Sequence, residues 1–347
     1  MNTLKSFLQS PPQLPLITVW ELNELSEYRG KQDLFSRQSP QRLKALREHA
    51  VVESSVASNR IEGVEVAPER VKDVVLGHGT LLDRNEMEVR GYQECLRWIH
   101  REHDRISFTP ETSLTLHSKT RPGLWDSGQL KTEDGEIIEK HQDGNVTVRF
   151  LPLSARETPE ALQVTCRLYA ELLREKQVPP LVLWAAANLD FLCIHPFRDG
   201  NGRVSRLLLL LTLYQLGYQG GRYISLEAII ERSKERYYDT LHQSSLGWHE
   251  GTHDPWPYIN YLLYSLKELY GDFEARYNHT SIEKGGKTEA VLKALERFDG
   301  PFQIQELWKA CPEVSLDMVR KVLKDEAEAG RVTCLGRGKN AKWQRMR

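Results

Sequence analysis

Apolar residues recur at helical spacing along most of the chain. Between Ser39 and Gly63, Leu43, Leu46, Ala50, Val51 and Ala57 suit one face of a helix. Ser39 followed by Pro40 is a cap-then-proline start, and Gly63 is a stop, so the pattern predicts a helix over about 40–63. Similar patterns run over Asn85–His103, over Thr109–Thr120 behind another Thr-Pro start, and over Thr158–Glu175. Pro179–Ile194 is apolar at nearly every position, and the run Leu207–Leu211 is wholly so, which suits helices buried on all sides. Further helices are expected over Lys234–Ser245 and Pro255–Tyr270, while Pro11, Pro12 and Pro15 predict an extended lead-in.

Two places break this rhythm. The β-prone runs Ile137–Ile138 and Val146–Phe150 are separated by Asp143-Gly144, a strong hairpin signal. Isolated among helices, that hairpin is expected to be a flap. The polar, glycine-containing stretch Asn278–Glu289 predicts a linker. Beyond it, helices are expected over Thr288–Phe298, Ile304–Ala310 and Ser315–Ala329, then two strands joined by Arg337–Asn340. Three helices and a β-ribbon describe a winged helix-turn-helix. The predicted architecture is mostly α, with an N-terminal helical region over 1–105, a helical core with its flap over 106–280 and the winged unit over 285–347.

Composition narrows the function less than the pattern does. A net charge of −1 with 27% charged and 40% hydrophobic residues is ordinary for a globular protein and gives no reason to expect a whole-chain polyanion binder. Charge is uneven, however: from Lys284 to Arg347 there are 14 Lys and Arg against 9 Asp and Glu, a net +5. The five cysteines form no C-x-x-C pair, which argues against a disulfide framework or zinc site and fits a reducing cytosol. No apolar run approaches the roughly 20 residues of a membrane span, so a cytoplasmic protein without membrane contact is expected. His249 and His253 have metal-ligand spacing, but Gly251 and Pro255 argue against the helix that would align them. There is no Walker-type G-x-x-x-x-G-K-(S/T) run.

Chemistry concentrates in "IHPFRDGNGRVSRLLLLL", Ile194–Leu211, where polar and flexible residues stand at the start of a buried helix. Gly200, Asn201 and Gly202 let backbone N–H groups approach a ligand at a helix N-terminus, a natural anion site. Arg203 and Arg206, three apart, share one helical face and offer guanidinium forks suited to phosphate. Asp199 beside an anion site is reconciled by a divalent cation such as Mg²⁺ bridging it to phosphates. His195 is then placed to act as a general base near phosphorus. Each residue alone suits a structural role; the ordered set within twelve residues points to a site.

"HPFRDGNGRVSR" resembles the Fic-family signature H-P-F-x-(D/E)-G-N-G-R-x-x-R at every specified position. The resemblance implies a Fic-type helical core with a β-hairpin flap and a protein adenylyltransferase that moves AMP from ATP to a Ser, Thr or Tyr hydroxyl. It assigns the base to His195 and Mg²⁺ to Asp199. Nucleotide contacts fall to Gly200, Asn201, Gly202, Arg203, Val204, Ser205 and Arg206, with Asn201 toward the α-phosphate and Tyr238 beside the base. Phe197 is expected to anchor the loop. Some relatives carry Asn seven residues after the second Tyr, where this chain has Ser245.

"SNRIEG", Ser58–Gly63, resembles the inhibitory pattern (S/T)-x-x-x-E-(G/N) of many Fic proteins, through Ser58 and Glu62. On that resemblance Glu62 pairs with Arg206 and blocks seating of the γ-phosphate; in some relatives the same glutamate assists removal of AMP. The expected partners are a target-protein hydroxyl, self-modification included, and a second copy, since several relatives form dimers. An alternative reading is a DNA-binding transcriptional regulator with a nucleotide-sensing Fic core. In that reading helix 315–329 lies in the major groove and Arg337 and Lys339 in the wing, against which stand Asp317, Asp325, Glu326 and Glu328.

Overall fold

The structure, a computed structural model, describes all residues except 1, 37–39, 141–145, 297, 299, 312, 313, 315, 337–340 and 347. The side chains at 33–36, 40–42, 139, 140, 146, 277–287, 289, 290 and 309 also lie outside that description. Asp143-Gly144 and the proposed wing residues Arg337 and Lys339 therefore lie outside the described residues.

The N-terminal helices are α1 (Asn2–Gln9), α2 (Leu16–Ser36), α3 (Pro40–Ile61), α4 (Val71–Leu76) and α5 (Arg84–Glu102). Asp83 caps α5 by accepting the Glu86 N–H at 2.9 Å. The prolines at 11, 12 and 15 separate α1 from α2, and α1 precedes the extended lead-in that the sequence suggested. What holds so short a helix is Asp190: its buried carboxylate accepts the N–H groups of Thr3 and Leu4, both at 3.0 Å, and the Trp248 indole N–H at 2.7 Å.

Next come α6 (Pro110–Thr120), strands β1 (Ile137–Lys140) and β2 (Val146–Phe150), and helices α7 (Thr158–Glu175), α8 (Pro180–Ile194) and α9 (Asn201–Gln215). The strands pair antiparallel, Ile138 opposite Val148, and β2 packs against α11 (Lys234–Ser245), which follows α10 (Leu226–Arg232). Every residue of α8 from Leu181 to Ile194 is buried, and α9 is buried from Arg203 to Tyr214. Neither helix has a polar face, so together they form the centre, with α1, α7 and α11 against α8 and α3, α5 and α6 against α9. Asn188, buried on α8, is satisfied at both ends: it donates to the Ser205 carbonyl at 3.0 Å and accepts from the Tyr258 hydroxyl at 2.7 Å.

The chain divides into two compact units, Met1–Phe273 and Glu274–Arg347. The expected boundary at 105 has no counterpart, because α3 packs against α5, α9 and α10 and ties the N-terminal helices into the core. The expected linker is also replaced, since α12 (Trp256–Leu295) stays helical through 278–289. Nothing there forbids a helix: there is no proline, and two glycines cost only about 1 kcal/mol each.

In the second unit β3 (Phe302–Gln303), α13 (Ile304–Ala310), α14 (Leu316–Glu328), β4 (Val332–Cys334) and β5 (Lys342–Arg345) follow in order. The sheet has strand order β3-β5-β4, and Val291, Leu307, Val319, Leu323 and Val332 lie in its core. Among the described residues, no helix is long and apolar enough to cross a membrane.

Candidate active site

The turn from α8 into α9 carries the signature residues. His195 closes α8 in the left-handed region, at φ 52° and ψ 64°, a conformation that costs a non-glycine residue roughly 1–2 kcal/mol. Its Nδ1 lies 3.3 Å from the Leu192 carbonyl. A carbonyl only accepts, so Nδ1 carries the proton and Nε2 keeps its lone pair. Burial pushes the imidazole down to about 4, and Lys131 acts in the same direction against the Leu192 hydrogen bond, Glu62 and Asp199. His195 is therefore neutral near pH 7.

Two devices hold the loop behind it. The Asn201 amide spends both ends on Phe197, accepting its N–H at 2.9 Å and donating to its carbonyl at 2.7 Å. The residue that the resemblance gives to the α-phosphate is here the clamp of the turn. Phe197 is buried, and its ring stacks on His117 of α6 with centroids 4.0 Å apart. His117 Nδ1 accepts the Gly128 N–H at 3.0 Å, so its Nε2–H donates to the Asp199 carbonyl, also at 3.0 Å. Burial keeps that imidazole neutral, pushing it down to about 4. Gly200 is needed twice over: its φ is 83°, and a Cβ would lie 3.0 Å from Arg121 Cδ.

The Asp199 carboxylate is about half exposed. Arg121 contacts it directly, while Arg203 and Arg84 stand 3.8 and 3.9 Å away. Burial works against its charge, but Arg121 and Arg203 prevail and hold the carboxyl below its usual range. Among the described residues no group of three or more His, Cys, Asp or Glu could hold a metal. His249 bonds the Leu151 carbonyl at 2.7 Å and His253 the Thr3 hydroxyl at 2.8 Å, so the two histidines serve different neighbours.

The anion end is formed by the first turn of α9 and the end of α3. Arg206 is fully buried; its Nε donates to Ser58 Oγ and its Nη2 to the Ser58 carbonyl and to Glu62 Oε1, each at 2.8 Å. Burial opposes the guanidinium charge, yet Glu62 and nearby tyrosines hold its pKa above the usual arginine value. Its Nη1 is buried with no hydrogen-bond partner. A Cβ on Gly202 would overlap the Glu62 carboxylate. Glu62 is thus badly placed for the C-terminus of its own α3 but well placed at the positive N-terminus of α9. Arg203, expected to meet phosphate, is buried against Glu88 of α5 and lies 3.4 Å from Asn59 Oδ1. Val204 is buried, and Ser205 donates to the Gly202 carbonyl at 2.9 Å; both act inside the fold.

A cleft of about 500 Å³ joins these parts, lined among others by Glu62, His195 and Gly202 on one side and Ile138, Phe150 and Tyr238 on the other. The flap thus forms one wall. Tyr238 lies under two cations, with Arg149 and Lys234 each 5.9 Å from its ring centre, and burial pushes its phenol pKa up. Ser245 lines the same cleft but donates to the His242 carbonyl at 2.9 Å. The structure therefore brings His195, Asp199, Gly202, Arg206, Tyr238, Ser58 and Glu62 together. His117, Arg121, Glu88 and Lys131 support them, and no sequence motif pointed to those four.

Comparisons with known proteins bear on the segment that carries this turn and on the fold. Residues 107–213 match the Fic/DOC family. Over 189 residues the chain is 25% identical to protein adenylyltransferase fic-1 of Caenorhabditis elegans, a match covering 52% of this chain and 32% of that protein. Its Caenorhabditis briggsae counterpart is 24% identical over the same length. The chain thus spans about a third of the curated relatives it matches. A crystal structure of a Fic family protein from Desulfovibrio desulfuricans G20 superposes with a TM-score of 0.65 at 21% identity, covering 97% of this chain and 98% of that one. A Fic-domain signaling protein from Bacteroides thetaiotaomicron VPI-5482 gives a TM-score of 0.62 at 20% identity over 74% of this chain and 97% of that chain. Fic-1 from C. elegans gives 0.57 at 19% identity over 80% and 82%. Residues 107–213, which hold the signature loop and the flap strands, thus match the Fic/DOC family, and the helical fold is shared with solved Fic proteins.

Proposed function

We propose that this protein is a nucleotidyltransferase of the Fic type, moving AMP from ATP to a hydroxyl of a target protein or of itself, and that Glu62 restrains it. One observation carries the reading: a carboxylate of the protein itself occupies an anion cradle made by the first turn of α9 and Arg206. A carboxylate there stands in for phosphate, and the buried, unpartnered Arg206 Nη1 is a donor left for a further oxygen. The neutral His195 lies on the same cleft.

His195 Nε2 accepts the proton of the incoming hydroxyl, whose oxygen then attacks the α-phosphorus as pyrophosphate leaves. The N–H groups at the start of α9 face the phosphate oxygens, and Arg206, once free of Glu62, forks onto the outer phosphates. Tyr238 and the flap form the wall against which the base lies. Asp199 suits Mg²⁺ only as a lone carboxylate completed by phosphates, consistent with the single acid on this loop. Such an ion would neutralise charge on the phosphates. The relatives' name supports adenylyl transfer, and Glu62 suits either a brake or the reverse removal of AMP.

The test compares ATP labelled at the α-phosphate with ATP labelled at the γ-phosphate, using the Glu62→Gly protein. Label from the α-position alone should appear on protein, and not when His195→Ala is added. Label from the γ-position would mean phosphoryl transfer and would sink the assignment.

For the second unit we infer a winged helix-turn-helix, from the strand order β3-β5-β4 around α13 and α14. Asp317 and Glu326 are held by Arg320 and Arg331, so part of the acidity on α14 is neutralised locally. Binding to duplex DNA that weakens steeply with salt would support a DNA-binding role, and binding indifferent to salt would oppose it.

A further inference from the structure

We propose that Lys131 is a positioning residue for His195: one side chain and its own backbone fasten the chain on both sides of the base. This rests on the transfer reaction proposed above. The Lys131 N–H donates to the Pro196 carbonyl at 2.9 Å, and its ammonium donates to the Ile194 carbonyl at 3.0 Å. The carbonyls of the residues before and after His195 are therefore held by a single residue. This matters because His195 occupies a left-handed conformation that its side chain disfavours, so something must hold it there.

A neutral donor could make the same hydrogen bond, yet the chain buries an ammonium, with Lys131 only 9% exposed. Burial pushes that ammonium down to about 8, and only Asp134 is placed to oppose the shift. Among the described residues Ile194 is its only side-chain hydrogen-bond partner. A second cavity, of about 230 Å³, is lined by both Lys131 and His195, so the two groups share one space. Its other charged walls are Asp126, Glu133, Asp134, Glu136 and Arg198. Facing His195 itself, Lys131 is the cation, while Glu62 and Asp199 are the anions. Lys131 thus has two effects: it fixes the imidazole's place, and its charge adds to the burial that keeps the imidazole unprotonated.

The deciding measurement is the titration of the His195 ring, followed by NMR in protein with labelled histidine and no nucleotide. Wild type, Lys131→Met, Lys131→Gln and Lys131→Arg are compared. Removing the neighbouring charge in the Met and Gln variants should raise the His195 pKa by about one unit, whereas the Arg variant should stay near wild type. In the Glu62→Gly background, Lys131→Met should lower kcat by about ten-fold or more while KM for ATP changes less than about two-fold. An unmoved titration in folded Met and Gln variants would overturn the assignment. So would a rise in KM as large as the loss in kcat, or loss of folded protein in both variants, since either marks a merely structural lysine. If Glu62→Gly transfers nothing, the proposed reaction fails, while the titration still decides for or against Lys131.

Discussion

Replacing Glu62 with glycine separates the ion pair that the structure shows from the restraint proposed for it, because it should make the protein less stable and yet a better binder of ATP. Its ion pair with Arg206 is 2.8 Å long, with the arginine side chain 1% exposed and the glutamate 28%. Removing one partner from a fully buried pair costs about 3–5 kcal/mol. Here the cost is smaller, because Glu62 is partly solvated and Arg206 keeps both bonds to Ser58, so about 2 kcal/mol is expected. For a unit of this size that is a fall in Tm of roughly 4–6 °C. On the proposed reading the same pair opens before phosphate takes Arg206, so its removal should tighten ATP binding by up to about 30-fold. Thermal melts of wild type and variant, with and without ATP and Mg²⁺, read both effects. The variant should melt lower alone and gain more from nucleotide. Glu62→Gln keeps the shape without the charge and should fall between. A variant that melts like wild type and gains no more from ATP would refute the pairing as a restraint.

Three further outcomes follow from the geometry. Gly200→Ala meets both a φ of 83° and the Arg121 side chain 3.0 Å away, so it should lose about 1–3 kcal/mol in denaturant melts and lose transfer in the Glu62→Gly background. Asp190→Asn leaves three buried donors with poorer acceptance and should cost about 3 kcal/mol, with the α1 amides exchanging faster with solvent. Burial pushes His100 down to about 3 and His117 and His195 to about 4, all from 6.5. Because each folded-state pKa lies below the unfolded one, the stability these groups contribute is complete above about pH 6.5 and is lost as pH falls toward 4. The slope should be about 1.4 kcal/mol per pH unit per histidine, and His117→Gln should remove one histidine's share in urea melts between about pH 4.5 and 6.5. An unchanged slope would mean that His117 is already charged in the folded state.

Legibility in the sequence followed distance along the chain. His195, Asp199, the glycines and Arg206 sit within one turn and one helix start, so local spacing alone brings them together. Glu62 was legible through its short pattern, although its physical reason, the N-terminus of α9 opposite it, needs the fold. Arg203 shows the limit: paired with Arg206 on one helical face it pointed to phosphate, but Glu88, 115 positions away, holds it. His117, Arg121 and Lys131 lie in an ordinary helix and loop whose composition signals nothing, and only the packing of α6 on α9 puts them behind the signature turn. Helix α1 was missed for the same reason, since its anchor Asp190 lies on α8. The continuous α12 was hidden by two glycines, whose modest penalty in a helix was read as a break.

The central claim is that His195 drives transfer of AMP once Glu62 releases Arg206. Intact mass of Glu62→Gly after incubation with ATP and Mg²⁺, beside wild type and the Glu62→Gly/His195→Ala double variant, tests it most directly. The account predicts a gain of one or more AMP groups in Glu62→Gly, little in wild type and none in the double variant. An equal gain in the double variant, or none in Glu62→Gly although it binds ATP, would contradict it.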